Sequence, residues 1–487
     1  MSSMHPYQIR GTLFMLEKEQ VLSDSPESDT GGLLCDESGL GKIRQLLALC
    51  LATYDADASP NMYSKATLVV CDPGSFNVWK NEWETLKKSA RKKLPLTILH
   101  DSTEKYRYTK QKSLSPEDKE QLADYAIVIA TFDACKPGSK YGPALQGVSW
   151  RRVILSNPSK AKGLATETAK ALRLLVACSR WVSTATSIEN GFLNLKSFLS
   201  FVRSPHADAG LLKTKKYAPI STDDKQWLRD SILRRTKRMV KTDLVSALPK
   251  IREFEFVHEL TKKEKVEAKE DSRQCGLVNR LKALQVVQGT EFHDPGDSSR
   301  LKELVNLLKL LYHSCSADQR RFRPESGLIK IVIASGSCDA LDLISLRLDD
   351  LQSRSKSGKY AYGRIDGNTA LKKRQEVEDA FRAGEIKVLL VTYKTPGGLS
   401  SQSANVVIKY GRCYNPAEEQ KAVNCVHRMG SEFKKLFVYN FCLSRGELYV
   451  ADRQQDIRGG KKEFSDGVYA ALERRERISG RQREHRA

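Results

Sequence analysis

The sequence contains no Cys-x-x-Cys pair, although it has eleven cysteines at irregular spacings. Several of them, including Cys35 and Cys71, end short apolar runs, where a reduced thiol packs as a small hydrophobic group. Zinc modules and disulfide frameworks need regularly spaced cysteines. Neither is therefore expected, and no metal ligands are predicted.

Long apolar runs are also missing. The longest candidates, such as residues 46–52 and 125–130, fall far short of the ~18 to 20 residues that cross a bilayer. Residues 1–11 have no apolar core and no small-residue cleavage site, unlike a secretory signal. We therefore expect no membrane span and a location inside the cell.

Acidic residues are in deficit, with 59 Asp and Glu against 81 Lys and Arg and a formal net charge of +22. Because 40% of the 487 residues are hydrophobic, the chain can build two large folded units or three smaller ones. A strongly basic protein inside the cell usually binds a polyanion, most often nucleic acid. Composition leaves open the alternative that the excess charge is only solvated surface.

Short β-branched apolar runs alternate with longer segments of helical period. This order predicts parallel sheets, and continuous apolar runs predict strands covered on both faces. The fold class is therefore α/β. The predicted strands are residues 32–35, 67–71, 126–131, 153–155 and 181–184, and then 329–334, 362–365, 388–392, 406–410 and 436–441.

The two series of strands are separated by a charged segment of mainly helical pattern. The sequence therefore predicts an N-terminal lobe over 1–205, a helical bridge or linker over 206–300 and a C-terminal lobe over 301–458. Residues 459–487 are rich in Arg, Glu and Lys and are predicted to form a basic tail.

A phosphate-loop pattern, Asp36-Glu37-Ser38-Gly39-Leu40-Gly41-Lys42-Ile43, follows the first predicted strand and precedes a helix. In such loops backbone N–H groups converge on an anion, and the lysine adds a full positive charge. The next position normally holds the Ser or Thr whose hydroxyl binds Mg²⁺, and Ile43 cannot do so. Alone, the pattern distinguishes poorly between a nucleotide site and an ordinary turn.

Further segments of the chain carry motifs in a fixed order, namely residues 4–11, 31–42, 67–83, 124–132, 150–155, 180–190, 233–237, 248–250, 298–301, 364–367, 394–399, 414–416 and 427–430. Together with the loop, these segments make the sequence resemble the Swi/Snf-type superfamily 2 ATPases. The motifs are most similar to those of the helicase-like transcription factor and repair branch. Members of that branch often carry a RING module, which cannot form here because only Cys275 and Cys315 lie in the corresponding region.

The resemblance implies two RecA-like lobes, DNA-dependent ATP hydrolysis, a role in chromatin remodelling or DNA repair, and a nuclear location. It also implies a nucleotide site and a duplex-binding face. The nucleotide-binding candidates are Gln8, Gly39, Leu40, Gly41 and Lys42. The DNA-binding candidates are Thr131, Arg234, Arg235 and Lys394. An alternative for the bridge arginines is pairing with nearby acids such as Asp230 and Asp243.

The sequence departs from the family where the catalytic groups belong. The family's D-E-A-H box, which holds Mg²⁺ and orients water, is replaced by Ser156-Asn157-Pro158-Ser159. Of the two arginines that meet the γ phosphate, the first is replaced by Cys425 and the second remains as Arg428, the one catalytic candidate.

These losses predict a pseudo-ATPase, because phosphoryl transfer depends on the metal, the positioned water and the arginines. ATP is a candidate ligand, whereas the missing oxygen ligands argue against Mg²⁺. The expected partner is duplex DNA or chromatin. Alternatives are a working DNA translocase with replacement groups, a non-catalytic protein-interaction scaffold, and a decayed paralogue.

Overall fold

The structure is a computed structural model. It describes residues 4–20, 31–54, 63–90, 94–100, 119–158, 166–185, 192–208, 222–240, 248–262, 264, 298–312, 323–324, 329–355, 358–395, 402–413, 416–428, 431–444, 456 and 458–459. Ser159, Asp243, Cys275, Cys315 and nearly all of the predicted tail lie outside these ranges.

The described residues form two compact units that divide between residues 244 and 245. Each unit is an α/β domain built on one sheet of parallel strands. The predicted fold class is therefore confirmed. Within the predicted bridge, the described residues contribute helix to the first unit and strands to both sheets.

The first unit contains a seven-stranded sheet with the order β3-β4-β2-β5-β6-β1-β7. Every paired neighbour runs parallel. Its strands are β1 (Gly31–Leu34), β2 (Thr67–Val70), β3 (Leu96–Leu99), β4 (Ile127–Ala130), β5 (Ser149–Ser156), β6 (Val176–Ser183) and β7 (Ile232–Leu233). Its helices are α1 (Pro6–Gln20), α2 (Lys42–Thr53), α3 (Phe76–Ala90), α4 (Lys119–Ala123), α5 (Gly142–Gly147), α6 (Glu167–Leu174), α7 (Phe192–Phe201) and α8 (Thr222–Ser231).

Both faces of this sheet are covered. Along β2, Leu68 and Val70 pack into one hydrophobic cluster, whereas Val69 belongs to the cluster on the other face. Alternate residues of a strand point to opposite faces, so an uninterrupted apolar strand requires a layer on each side. The expectation of doubly covered strands is confirmed here.

The second unit contains a six-stranded sheet with the order β10-β11-β9-β12-β13-β8. Its strands are β8 (Lys250–His258), β9 (Ile331–Ser335), β10 (Tyr362–Ile365), β11 (Val388–Thr392), β12 (Val406–Tyr410) and β13 (Lys435–Leu443). Its helices are α9 (Ser299–Tyr312), α10 (Cys338–Ser353), α11 (Leu371–Ala383) and α12 (Pro416–Val426). Along β9, Ile331 and Ile333 face one cluster while Val332 and Ala334 face the other.

All ten predicted strands coincide with strands of the structure, and three further strands were missed. One of these, β7, has only two residues, and another, β3, has four. The third, β8, lies at the edge of its sheet and alternates charged and aromatic residues, with Phe254 and Phe256 stacked on the aromatic rings of β13. A half-exposed edge strand lacks the continuous apolar run on which the prediction relied.

No helix among the described residues is both long and apolar enough to span a membrane.

Candidate functional site

Three strand ends meet at the carboxyl edge of the first sheet, where ligands bind in open parallel α/β sheets. Leu34, which ends β1, is aligned with Ser183, which ends β6. Ser183 is in turn aligned with Ser156, which ends β5. Because neighbouring strands lie about 4.8 Å apart, the phosphate loop begins about 10 Å from the position of the family's acidic box.

The loop between β1 and α2 turns at two glycines. Gly39 and Gly41 have φ angles of 93° and 73°, in the left-handed region that favours glycine. Gly41 is also the N-cap residue of α2, so the positive end of that helix dipole points into the loop. This geometry agrees with an anion-binding turn.

Lys42, the first residue of α2, folds back over the loop. Its Nζ donates to the carbonyl oxygens of Asp36 at 2.8 Å and Glu37 at 3.4 Å. The ammonium group therefore lies beside the turn that contains Gly39 and Gly41. Backbone N–H groups, a helix N-terminus and a lysine are together suited to hold phosphate.

Side chains of α1 and α2 hold the loop in place through hydrogen bonds to its backbone. The Leu40 carbonyl accepts hydrogen bonds from Tyr7 Oη at 3.0 Å, Gln8 Nε2 at 3.3 Å and Gln45 Nε2 at 3.4 Å. Gln8 and Leu40 are both buried. Both of these predicted nucleotide-binding residues thus take part in the inner support of the loop.

Asp36 forms a buried ion pair with Arg235. The Asp36 carboxylate accepts from the backbone N and Nε of Arg235, both at 3.0 Å, and from Nη2 at 2.5 Å. Arg235 Nη2 also donates to Gln45 Oε1 at 2.6 Å, and Nη1 donates to the Tyr7 carbonyl. The guanidinium group is therefore fully engaged inside the first unit, and we do not assign Arg235 to the DNA face.

The other predicted DNA contacts occupy different settings. Arg234 is half-buried, and its Nη1 donates to the carbonyls of Cys35 at 2.5 Å and Ala185 at 3.3 Å. Thr131 is buried, and its Oγ1 accepts from the Ala134 N–H at 3.0 Å. Lys394, in the second unit, is exposed.

No carboxylate stands at the end of β5. Ser156 is buried, and Asn157 is exposed with a φ of 47°, a left-handed conformation that Asn tolerates. The Asn157 N–H donates to the Ser183 carbonyl at 2.7 Å, which fixes this turn beside β6. Within the described ranges, no group of three or more His, Cys, Asp or Glu side chains could hold a metal ion.

In the second unit, the residues of the family's last motif lie at the end of α12. Cys425 is buried, its Sγ donates to the Ala422 carbonyl at 3.0 Å, and burial raises the pKa of the thiol to about 12. The thiol is therefore neutral and unreactive at pH 7. Arg428 Nε donates to the Asn424 carbonyl at 3.0 Å, and burial lowers the pKa of this guanidinium.

The side chains that support the loop from inside the protein are only weakly indicated by the sequence. The sequence pattern does not mark Asp36 and Gln45 as residues that support the loop. A buried carboxylate needs a cation, but the pattern does not show that Asp36 is buried or that Arg235 is its partner. The register explains the pairing: Leu34 is aligned with Leu233, so Asp36 and Arg235 follow adjacent parallel strands at the same level.

Two parallel-sheet units with a phosphate loop at the carboxyl edge of the first define a two-lobed α/β protein of the P-loop type. The chain belongs to the SNF2 family. A family model described as SNF2-related domain matches residues 7–320, and one described as Helicase conserved C-terminal domain matches residues 327–430. This membership confirms the predicted Swi/Snf-type superfamily 2 relationship.

The chain is similar to ISWI chromatin-remodeling complex ATPase CHR17 of Arabidopsis thaliana, with 25% identity over 88% of this chain and 40% of the relative. It is also similar to Zorya protein ZorD of Escherichia coli, with 26% identity over 86% of this chain and 41% of the relative. The chain thus spans about 40% of the length of these curated relatives.

Among solved structures, the chain is similar to the Sulfolobus solfataricus SWI2/SNF2 ATPase core in complex with dsDNA. The identity is 20%, the match covers 91% of this chain and 88% of that chain, and the TM-score is 0.42.

Proposed function

We propose that this protein is a catalytically degenerate Swi/Snf-type protein that binds duplex DNA or chromatin, holds nucleotide phosphates weakly and hydrolyses ATP very slowly or not at all. The observation that carries the proposal is the end of β5. There Ser156 and Asn157 stand level with the phosphate loop, where the family places its two acidic residues.

The loss of hydrolysis follows from the groups that phosphoryl transfer needs. Elsewhere an arginine finger contributes roughly 10³- to 10⁵-fold in rate, and a bound metal adds several kcal/mol of charge stabilisation. Ile43, Ser156 and Asn157 do not form a Mg²⁺ site, because none supplies a carboxylate and Ile43 has no oxygen. Cys425 supplies no charge in place of the first arginine.

Phosphate binding requires fewer groups than ATP hydrolysis does. Gly39, Gly41 and Lys42 keep the arrangement of an anion-binding turn, and neither the loop nor the lysine depends on a metal to attract a polyphosphate. Retained binding without turnover is the combination that these residues support.

DNA binding is supported by the net charge of +22, by exposed Lys394 and by family membership. The name of one relative refers to a chromatin-remodeling complex, which favours a nuclear location and a role in chromatin remodelling or DNA repair. Another relative, ZorD, comes from a bacterium, so similar proteins are not confined to cells with a nucleus.

The proposal predicts duplex binding without DNA-stimulated turnover. A labelled duplex should bind in a filter assay with an affinity that falls steeply as salt rises, while ATP hydrolysis stays at background with or without the duplex. Lys42→Ala should leave that background unchanged. DNA-stimulated turnover that Lys42→Ala abolishes would show an active translocase instead, and no salt-dependent duplex binding would favour a scaffold.

A second prediction concerns the metal. Because Ile43 has no hydroxyl and the end of β5 has no carboxylate, Mg²⁺ should change ATP affinity less than about threefold, whereas a protein-bound Mg²⁺ bridges protein and phosphates. Calorimetric titration with ATP in EDTA and in excess Mg²⁺ measures the ratio. Lys42→Ala should weaken binding in both buffers. Tenfold tighter binding with Mg²⁺ would contradict the assignment.

A further inference from the structure

The amide of Gln8 is fully used inside the protein. Its Oε1 accepts from the His5 N–H at 3.0 Å, and its Nε2 donates to the Leu40 carbonyl and to Tyr7 Oη, both at 3.3 Å. A side-chain amide nitrogen carries two protons, so both are committed. With 1% of its surface exposed, Gln8 has neither a free N–H nor the access needed to read the edge of a base.

The loop also closes over Gln8 from the other side. A Cβ added at Gly41 would lie 2.4 Å from Gln8 Nε2, so the turn packs directly on the amide. Glycine at this position therefore permits the close approach of the loop backbone to α1. Gln8 acts as a brace for the turn that would hold phosphate.

The aromatic ring of this segment is equally committed. Tyr7 is fully buried, with its ring stacked on His5 at 5.9 Å between centroids and the Arg235 guanidinium 5.4 Å from its centroid. A base that stacks on an aromatic ring needs an exposed face, and Tyr7 offers none. Neither hydrogen bonding nor stacking by these two residues is available to select adenine.

We propose that this site takes up polyphosphate without selecting the base. Its ligand class is a nucleoside triphosphate of any base, and inorganic triphosphate as well, because the loop backbone and Lys42 are suited to phosphate and carry no group that reads a base. This inference rests on the phosphate binding in the proposed function, and it adds the specificity of the site.

The test is calorimetric titration of the full chain, in EDTA, with ATP, GTP, UTP and inorganic triphosphate. The four affinities are expected to agree within about threefold. A site that hydrogen-bonds the correct base discriminates by about tenfold or more. ATP binding at least tenfold tighter than GTP and UTP would overturn this inference and leave the absence of hydrolysis untouched.

Two variants separate bracing from base recognition. Gln8→Leu removes the brace, so all four ligands should weaken by a similar factor, as they should for Lys42→Ala. A Gln8→Leu protein that loses ATP affinity but keeps GTP and triphosphate affinity would show that Gln8 reads adenine. If none of the four ligands binds the unaltered chain, both this inference and phosphate retention fail, while duplex binding remains separately measurable.

Discussion

Replacing Arg235 with methionine is expected to lower the free energy of unfolding of the first unit by about 3 to 5 kcal/mol. Asp36 is fully buried, and its carboxylate accepts three hydrogen bonds from Arg235. Two of these come from the guanidinium and would be lost. A buried carboxylate left without its cation keeps its desolvation penalty and loses the compensating attraction, which makes removal of one partner costly.

Tryptophan fluorescence reports on the first unit alone. The chain has five tryptophans, at positions 79, 83, 150, 181 and 227, and all of them lie before the division at residue 244. Urea unfolding followed at the tryptophan emission therefore reports on the first unit. The matched control is Arg238→Met, three residues along and exposed, which should change stability by less than about 0.5 kcal/mol.

The same variants test the interior assignment of Arg235. Arg235→Lys should be intermediate in stability, because an ammonium group cannot reproduce the forked pairing with Asp36. If Arg235 instead contacted a DNA phosphate, its loss would reduce the salt slope of duplex binding by about 1. A reduced slope in a folded Arg235→Met protein, with stability unchanged, would contradict the buried pair.

Patterns of apolar residues were sufficient to predict most of the two sheets. Residues 388–392 and 406–410 were predicted with the bounds that the structure has, because they form interior strands that are fully buried and largely apolar. β8 was not predicted, because its edge position leaves Ile251 and Val257 exposed and lets charged residues alternate with aromatic ones. Its pattern depends on neighbours that only the tertiary fold supplies.

The site was predictable to the extent that it is local in sequence. The phosphate loop and the missing carboxylates at Ser156 and Asn157 are contiguous motifs. The buried position of Arg235 could not be predicted, because a run of basic residues has the same pattern whether it faces solvent or a buried acid. The deciding fact is that β7 pairs beside β1, which brings Arg235 to Asp36 across most of the unit's sequence.

The second large effect on stability is expected at Glu19, near the C-terminal end of α1. Glu19 pairs with Arg152, which is fully buried on β5, and also accepts from Trp181 Nε1 at 2.9 Å. The remaining contacts of Arg152 are with neutral groups, including Thr53 and Thr67 hydroxyls at 3.2 Å. Glu19→Ala should therefore cost the first unit about 3 to 5 kcal/mol, since it leaves a buried guanidinium without a carboxylate.

Urea unfolding at the tryptophan emission again measures the loss, and Trp181 adds a local signal because its indole N–H loses its acceptor. Glu17→Ala, two residues away on the same helix and exposed, is the control and should stay within about 0.5 kcal/mol. Glu19→Gln keeps an acceptor for Trp181 without the charge, so its loss should be smaller. A Glu19→Ala protein as stable as the control would refute the buried pair.

The two pairs should act independently. Glu19 and Tyr7, whose carbonyl accepts from Arg235, lie about 18 Å apart along α1 at about 1.5 Å per residue, beyond the range at which substitutions usually couple. The double variant Glu19→Gln/Arg235→Lys should therefore show the sum of the single losses to within about 0.5 kcal/mol. If the double variant loses clearly less stability than this sum, α1 transmits strain between its ends. Breaking the contacts at one end would then already loosen the contacts of Gln8 with the loop.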